Sequence, residues 1–176
     1  AYAKAARRNG AEIYRHSRVM DLQPTGRGTW RVITDKGEIE AEHVVNAAGL
    51  WAREMGAMVG VNLPLVPMEH HYLVTEPIRE LVELGREIPL VVDLDNEIYM
   101  RQEGQGMLVG VYEKDATPWA LAGTPWNYGD TELLPPALDR ITDALVKGYE
   151  RFPAVAGAGI RRIVNGPFTF TPDGNP

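Results

Sequence analysis

The chain has 176 residues, 44% of them hydrophobic and 24% charged, and carries a formal net charge of −6 at pH 7. Such a composition is typical of a globular protein and excludes a disordered or fibrous chain. The negative charge argues against nucleic acid as a general partner. No apolar run reaches the roughly 20 residues needed to span a bilayer. The absence of cysteine excludes disulfides and thiolate metal sites.

The first third of the chain predicts a small mixed α/β section. In order, we expect a helix over 1–9, strands over 12–22, 30–34 and 38–42, a short strand over 43–48, and a helix over about 51–59. Gly10 is the expected end of the first helix, and the turn at 35–37 joins two strands as a hairpin. Because 43–48 is a short apolar run before Gly49, it predicts a buried strand of a parallel sheet.

The rest of the chain predicts antiparallel strands with helices, after a change of composition at 62–67. We expect strands over 68–75 and 90–93, a hairpin of 97–102 with 107–112, and an extended segment over 160–170. Helices are expected over 78–85 and 134–152, the second because Leu138, Ile141, Leu145 and Tyr149 recur at helical spacing. Residues 114–130 are expected to be irregular. The fold class predicted for the whole is α+β.

Both ends of the chain predict that it is an interior piece of a longer protein. It begins at Ala1, in a helical pattern without a cap, and stops in the turn-rich stretch 171–176. No secretory signal stands at the start, and we therefore expect a cytoplasmic location, or the mitochondrial matrix in a eukaryote.

Three groups of residues are candidates for a functional site. Small residues at 46–49 follow the apolar run and would let a bulky ligand approach the backbone closely. His70 and His71 are adjacent on a predicted strand and point to opposite faces, which argues against a shared metal, and no metal site is predicted. Tyr99 and Arg101 share a strand face, and the arginine could hold a carboxylate. Each pattern has an ordinary structural reading: a tight turn, a packed histidine, a surface arginine.

Five ordered segments together resemble the D-amino-acid-oxidase-like FAD superfamily, in its dimethylglycine and sarcosine dehydrogenase branch. They are the opening helix with residues 10–19, residues 37–52, residues 64–77, residues 98–103, and residues 164–173. The segment Asn-Ala-Ala-Gly-Leu-Trp-Ala at 46–52 is typical of the superfamily. The spacing of Pro64, Pro67, His70, Tyr72 and Thr75 is typical of the branch.

The resemblance implies a D-amino-acid-oxidase-like fold with residues 1–62 in the FAD domain, 63–165 in a substrate domain, and 166–176 returning to the FAD domain. It implies that FAD is contacted by Val19, Ala47, Ala48, Gly49 and Trp51. It also implies that His70 and Tyr99 face the flavin as catalytic residues, and that Arg101 and Tyr72 bind substrate. The implied reaction is hydride transfer to flavin from an N-methylated amino acid such as dimethylglycine or sarcosine.

Some elements of the family pattern are missing from this sequence. The Gly-x-Gly-x-x-Gly fingerprint for the FAD pyrophosphate is absent, and we expect it upstream, with the last flavin-binding loop and any folate-binding part downstream. On that expectation the piece alone binds FAD weakly and is inactive. The electron acceptor is left open. Alternatives are another amino acid or a 2-hydroxy acid as substrate, and a non-catalytic subunit that keeps the fold.

Overall fold

The structure is a computed structural model, and it describes residues 1–129 and 131–173. The chain divides into two compact units. Unit 1 comprises residues 1–48 and 52–63, and unit 2 comprises residues 49–51 and those from Pro64 onward. The assignment of 1–62, 63–165 and 166–176 to functional domains stays a prediction, and residues 174–176 of the last segment lie outside the described residues.

Unit 1 is a three-stranded antiparallel sheet with two short helices. Its elements are α1 (Tyr2–Arg8), β1 (Val19–Pro24), β2 (Trp30–Thr34), β3 (Gly37–Ala41) and α2 (Ala52–Ala57). The sheet order is β1-β2-β3, and Thr34 pairs with Gly37 where the predicted hairpin turns. The strand that we predict over 12–22 begins only at Val19.

The buried parallel strand predicted over 43–48 is wrong. No strand forms there, and Val45 is 87% exposed. A buried parallel strand needs strand partners and packed layers on both faces, and the described residues of unit 1 offer only an antiparallel sheet that ends at β3. Asn46 instead folds the segment locally: its side chain donates to the Ala52 carbonyl and accepts from the Ala48 N–H.

Unit 2 contains a five-stranded antiparallel sheet, which confirms the predicted strands. They are β4 (Val66–Thr75), β5 (Val91–Asp93), β6 (Ile98–Glu103), β7 (Gly106–Val111) and β8 (Ile160–Phe170). The order is β5-β6-β7-β4-β8, so β4 lies between β7 and the last strand of the chain. With the helices, this is a mixed α+β architecture, as the sequence predicts.

The helices of unit 2 are α3 (Arg79–Leu84), α4 (Thr142–Arg151) and α5 (Pro153–Ala156). They cover one sheet face around a core that includes Leu73, Ile98, Met100 and Val109. A side chain at Gly148 would meet Met100 and Ile98, so α4 packs closely on β6 there. None of the helices that the structure describes is long and apolar enough to cross a membrane.

The helix predicted over 134–152 begins later than expected. A 3-10 turn runs over Leu138–Ile141 before α4. Residues 134–137 are not helical because their backbone bonds to β8 instead: the Leu134 N–H donates to the Asn165 carbonyl, and the Asn165 side chain donates to the Pro135 carbonyl. The described residues of 114–130 form no helix or strand beyond one bridge, Met68 with Pro118.

Candidate functional site

One face of the unit 2 sheet carries the residues predicted to be catalytic and substrate-binding. Tyr99 on β6 lies opposite Gly110 on β7, which in turn lies opposite Tyr72 on β4. Because side chains alternate along a strand, His70 shares this face with Tyr72, and Arg101 shares it with Tyr99. The structure therefore brings the four residues onto one surface, although they are up to 31 residues apart in the chain.

An aromatic cluster lies around His70 on this face. The His70 ring centroid is 5.5 Å from that of Tyr112, 6.0 Å from that of Phe168 and 6.3 Å from that of Phe170. Tyr112 also lies 5.4 Å from Tyr99. The predicted His70–Tyr99 pair is thus connected through Tyr112, a residue that sequence reasoning missed. The two-residue alternation of β7, continued past Gly110, is the signal that could have found it.

Gly110 allows the Tyr99 ring to lie over the sheet. A Cβ at this position would overlap the Cζ, Cε1 and Oη atoms of Tyr99. Any other residue would therefore push the ring away from its position beside Tyr112. The absence of a side chain at Gly110 therefore sets the position of the Tyr99 phenol, although the backbone of Gly110 is that of an ordinary strand.

The surroundings of His70 and Tyr99 favour their uncharged forms. Burial lowers the pKa of His70, an effect that Glu113 partly opposes and His71 reinforces. Burial raises the pKa of Tyr99, and the neighbouring Tyr112 and Tyr72 raise it further. Among the described residues, the His70 Nδ1 atom is inaccessible and has no hydrogen-bond partner. A neutral imidazole can accept a proton or a hydrogen bond at neutral pH.

His71 lies on the opposite face and has no solvent exposure. Its Nδ1 atom is 2.7 Å from a Glu113 carboxylate oxygen, and its Nε2 atom accepts the Ala137 N–H at 3.1 Å. Because Nε2 accepts, the ring proton is on Nδ1 and is donated to Glu113. His71 is therefore a structural residue held at both ring nitrogens, and the two adjacent histidines point to opposite faces as the sequence predicts.

The His71 contact belongs to a larger polar network beneath the sheet. Arg140 donates from Nε and Nη2 to Glu113, at 3.1 and 2.7 Å, and from Nη1 to Glu69 at 2.8 Å. Asn165 also donates to Glu69, at 2.9 Å. Burial acts to raise the pKa of Glu113, but its hydrogen bonds from His71 and Arg140 outweigh burial and the net pKa is lowered. The carboxylate is held ionised immediately after Tyr112.

Tyr72 and Arg101 line a cavity of about 320 Å³ on the site face. Its other lining residues are Val74, Glu103, Leu108, Arg161 and Arg162. Arg101 forms an ion pair with Glu103, and Arg162 donates to the Tyr72 hydroxyl at 3.1 Å. Arginines therefore outnumber acids around this cavity by three to one.

The residues predicted to contact FAD fall in both units. Val19, Ala47 and Ala48 belong to unit 1, where Ala47 is exposed. Gly49 and Trp51 belong to unit 2, and the Trp51 indole donates to the Pro125 carbonyl. Gly49 has a φ of 56°, a left-handed conformation that favours glycine at this turn. No group of three potential metal ligands occurs among residues 1–129 and 131–173.

Comparison with known proteins decides the family. The family model described as "FAD dependent oxidoreductase" matches residues 1–176. This chain belongs to that family. Mouse (Mus musculus) mitochondrial dimethylglycine dehydrogenase is 43% identical over 98% of the chain, and human (Homo sapiens) mitochondrial sarcosine dehydrogenase is 34% identical over 99%. The mouse mitochondrial pyruvate dehydrogenase phosphatase regulatory subunit is 36% identical over 98%.

The chain spans about a fifth of the length of these relatives: 20%, 19% and 20% respectively. Among solved structures, L-proline dehydrogenase from P. horikoshii matches with a TM-score of 0.75 and 26% identity, over 99% of this chain and 43% of that one. The family fold expected from the sequence is therefore confirmed.

Proposed function

We propose that this chain supplies the substrate-facing surface of an FAD-dependent oxidoreductase that oxidises an N-methylated amino acid of the dimethylglycine or sarcosine type. The observation that carries the proposal is the sheet face on which Tyr112 connects His70 to Tyr99. Similarity to dimethylglycine and sarcosine dehydrogenases supports the choice of substrate class.

In this proposal, His70 and Tyr99 make the site favour the neutral amine. An amine with its lone pair free can lose a hydride from an adjacent carbon, whereas its ammonium form cannot. The burial that lowers the pKa of His70 also disfavours a charged ammonium beside it, and the neutral imidazole can accept the proton that the ammonium loses. Arg101 and Tyr72 are proposed as substrate-binding residues.

The residues present fit parts of an FAD molecule. The rings of His70, Tyr112 and Tyr99 form a continuous aromatic patch in which neighbouring rings are tilted by 52° and 50°. One inaccessible imidazole nitrogen in this patch has no hydrogen-bond partner among the described residues. In unit 1, the exposed Ala47 and its neighbour Ala48 leave the backbone open to close approach. We propose Val19, Ala47, Ala48, Gly49 and Trp51 as the nucleotide-contacting residues. The chemistry that FAD supplies when bound is acceptance of the substrate's hydride.

Replacing His70 with alanine in the FAD-loaded protein that contains this chain tests the proposal. We expect kcat/KM for dimethylglycine or sarcosine to fall by roughly 100-fold, as for loss of a proton-handling group. His16→Ala is the matched control, because His16 is exposed and lies in unit 1. Unchanged turnover in His70→Ala would contradict the assignment.

A non-catalytic subunit is the second candidate, and one observation favours keeping it. The regulatory subunit that the chain resembles has a similarity comparable to that of sarcosine dehydrogenase. The two functions are distinguished by colour. A yellow FAD-loaded protein that dimethylglycine or sarcosine bleaches is an amine oxidoreductase, whereas a protein that binds no FAD, or is not bleached by any amino acid or 2-hydroxy acid, is not.

The compartment and the other partners are also proposals. The relatives' names place them in mitochondria, which supports the matrix as the location if the source is a eukaryote. Transfer of the oxidised methyl group to folate would need parts of a longer protein. The electron acceptor can be tested separately by bleaching the FAD-loaded protein with substrate under air and under nitrogen. Rapid reoxidation of the reduced flavin under air would indicate an oxidase.

A further inference from the structure

Four of the residues that line the cavity beside Tyr72 lie in one row across the sheet. Arg101, Leu108, Val74 and Arg162 stand in one row across four neighbouring strands. Tyr99, Gly110 and Tyr72 form the adjacent row of the same face. The two arginines are therefore at the ends of one row, and the buried side chains of Leu108 and Val74 form the floor between them.

The charges around this cavity suit an organic anion. Arg101 shares its charge with Glu103 at the exposed rim, where both side chains are about half exposed: 50% and 41%. Arg162 donates to the Tyr72 hydroxyl, and none of the ion pairs among residues 1–129 and 131–173 includes Arg162. A guanidinium that still has donors to spare, above an apolar floor, is a typical partner for a carboxylate.

The spacing of the rows suits a small amino acid. Residues two apart on a strand are separated by about 6.7 Å, which is the distance between the Tyr99 row and the Arg162 row. In an α-amino acid the nitrogen and the carboxylate oxygens are about 3.5 Å apart with ordinary bond lengths. A hydrogen bond to the carboxylate adds about 2.9 Å. An amine beside Tyr99 thus places its carboxylate within reach of the arginine row.

We propose that Arg162, oriented by Tyr72 and opposed by Arg101 across the cavity, binds the carboxylate of the amine substrate and makes the site selective for amino acids over neutral amines. The inference rests on the proposed function. It adds Arg162, which no sequence pattern pointed to, because β8 meets β4 only in the folded sheet.

The test compares Arg162→Gln with wild type in the FAD-loaded protein, on two substrates. We expect KM for dimethylglycine to rise about tenfold in the variant, the usual effect of losing one charge-assisted hydrogen bond, with kcat within about twofold. For N,N-dimethylglycinamide, which lacks the negative charge, we expect KM to change less than about twofold. Arg162→Lys should recover part of the loss. Arg79→Gln is the control, because Arg79 is exposed on α3 and pairs only with Glu83 among the described residues.

Two outcomes overturn the proposal where turnover is observed: an unchanged KM for dimethylglycine, or an equal rise for the acid and the amide. If wild type oxidises neither substrate, the proposed function has failed, and the carboxylate site is judged by binding alone. The probe is then 3-methylbutanoate, which replaces the amine nitrogen of dimethylglycine with carbon, titrated by calorimetry. Binding by wild type that weakens about tenfold in Arg162→Gln supports the site. No binding, or equal binding by the two proteins, overturns it.

Discussion

Replacing Glu113 with glutamine should destabilise the protein through the network beneath the site. The carboxylate side chain is 3% exposed and accepts hydrogen bonds from the His71 ring, the His71 N–H and two nitrogens of Arg140. Glutamine keeps one acceptor oxygen but places an NH2 group against donors. The substitution therefore removes a charge and leaves at least one buried donor facing another.

The magnitude follows from how much of the network survives. Breaking a buried ion pair by removing one partner costs about 3–5 kcal/mol. Here Arg140 keeps its bond to Glu69 and is 21% exposed, so its charge is not left isolated. We therefore expect a loss of about 2–3 kcal/mol in the free energy of unfolding at pH 7. Glu83→Gln, on an exposed surface pair, should cost less than about 0.5 kcal/mol.

The effect should depend on pH with a definite sign. Because the folded-state pKa of Glu113 is lowered, its stabilisation is complete above the ordinary carboxyl pKa of about 4.3 and is lost as the pH falls through the folded-state value. The difference between wild type and Glu113→Gln should therefore be largest near neutral pH and shrink in acid. Urea unfolding at about pH 7, 4 and 3, followed by circular dichroism, measures the difference above and within the range where it should shrink. A Glu113→Gln protein as stable as Glu83→Gln at pH 7 would refute the reasoning.

Two further substitutions test the packing of the sheet. Gly110→Ala should displace the Tyr99 ring and lower the free energy of unfolding by about 1–3 kcal/mol, with a lower kcat/KM in the FAD-loaded protein. In the control Gly157→Ala the added methyl group meets open space, and we expect no measurable change in either quantity. Leu73→Ala, at a residue with no solvent exposure, should lower the free energy of unfolding by about 2–5 kcal/mol. Val92→Ala is the control on β5, where the residue is 48% exposed, and it should cost less than about 0.5 kcal/mol. Equal losses of the two variants in urea unfolding would contradict the core assignment.

Local patterns in the sequence predict most of the elements of unit 2. Alternation finds β4 and the β6–β7 hairpin, and it places His70 and His71 on opposite faces, because a strand's side-chain period does not depend on its neighbours. The same approach fails at 43–48. Apolarity there is compatible with a buried strand, but strand formation needs a partner in space, and no pattern within six residues shows whether one exists.

The sequence by itself determined the family and the α+β class, and it pointed to His70, Tyr99 and Arg101. Ordered motifs and strand periodicity are local properties, so they can be read from the sequence without knowledge of the fold. Only the tertiary structure decided what surrounds those residues. Tyr112 comes between His70 and Tyr99, Gly110 makes room for a ring 11 residues away, and Arg162 joins the site from the last strand. Sheet register sets these contacts, and register arises from pairing between distant segments, which no single segment encodes.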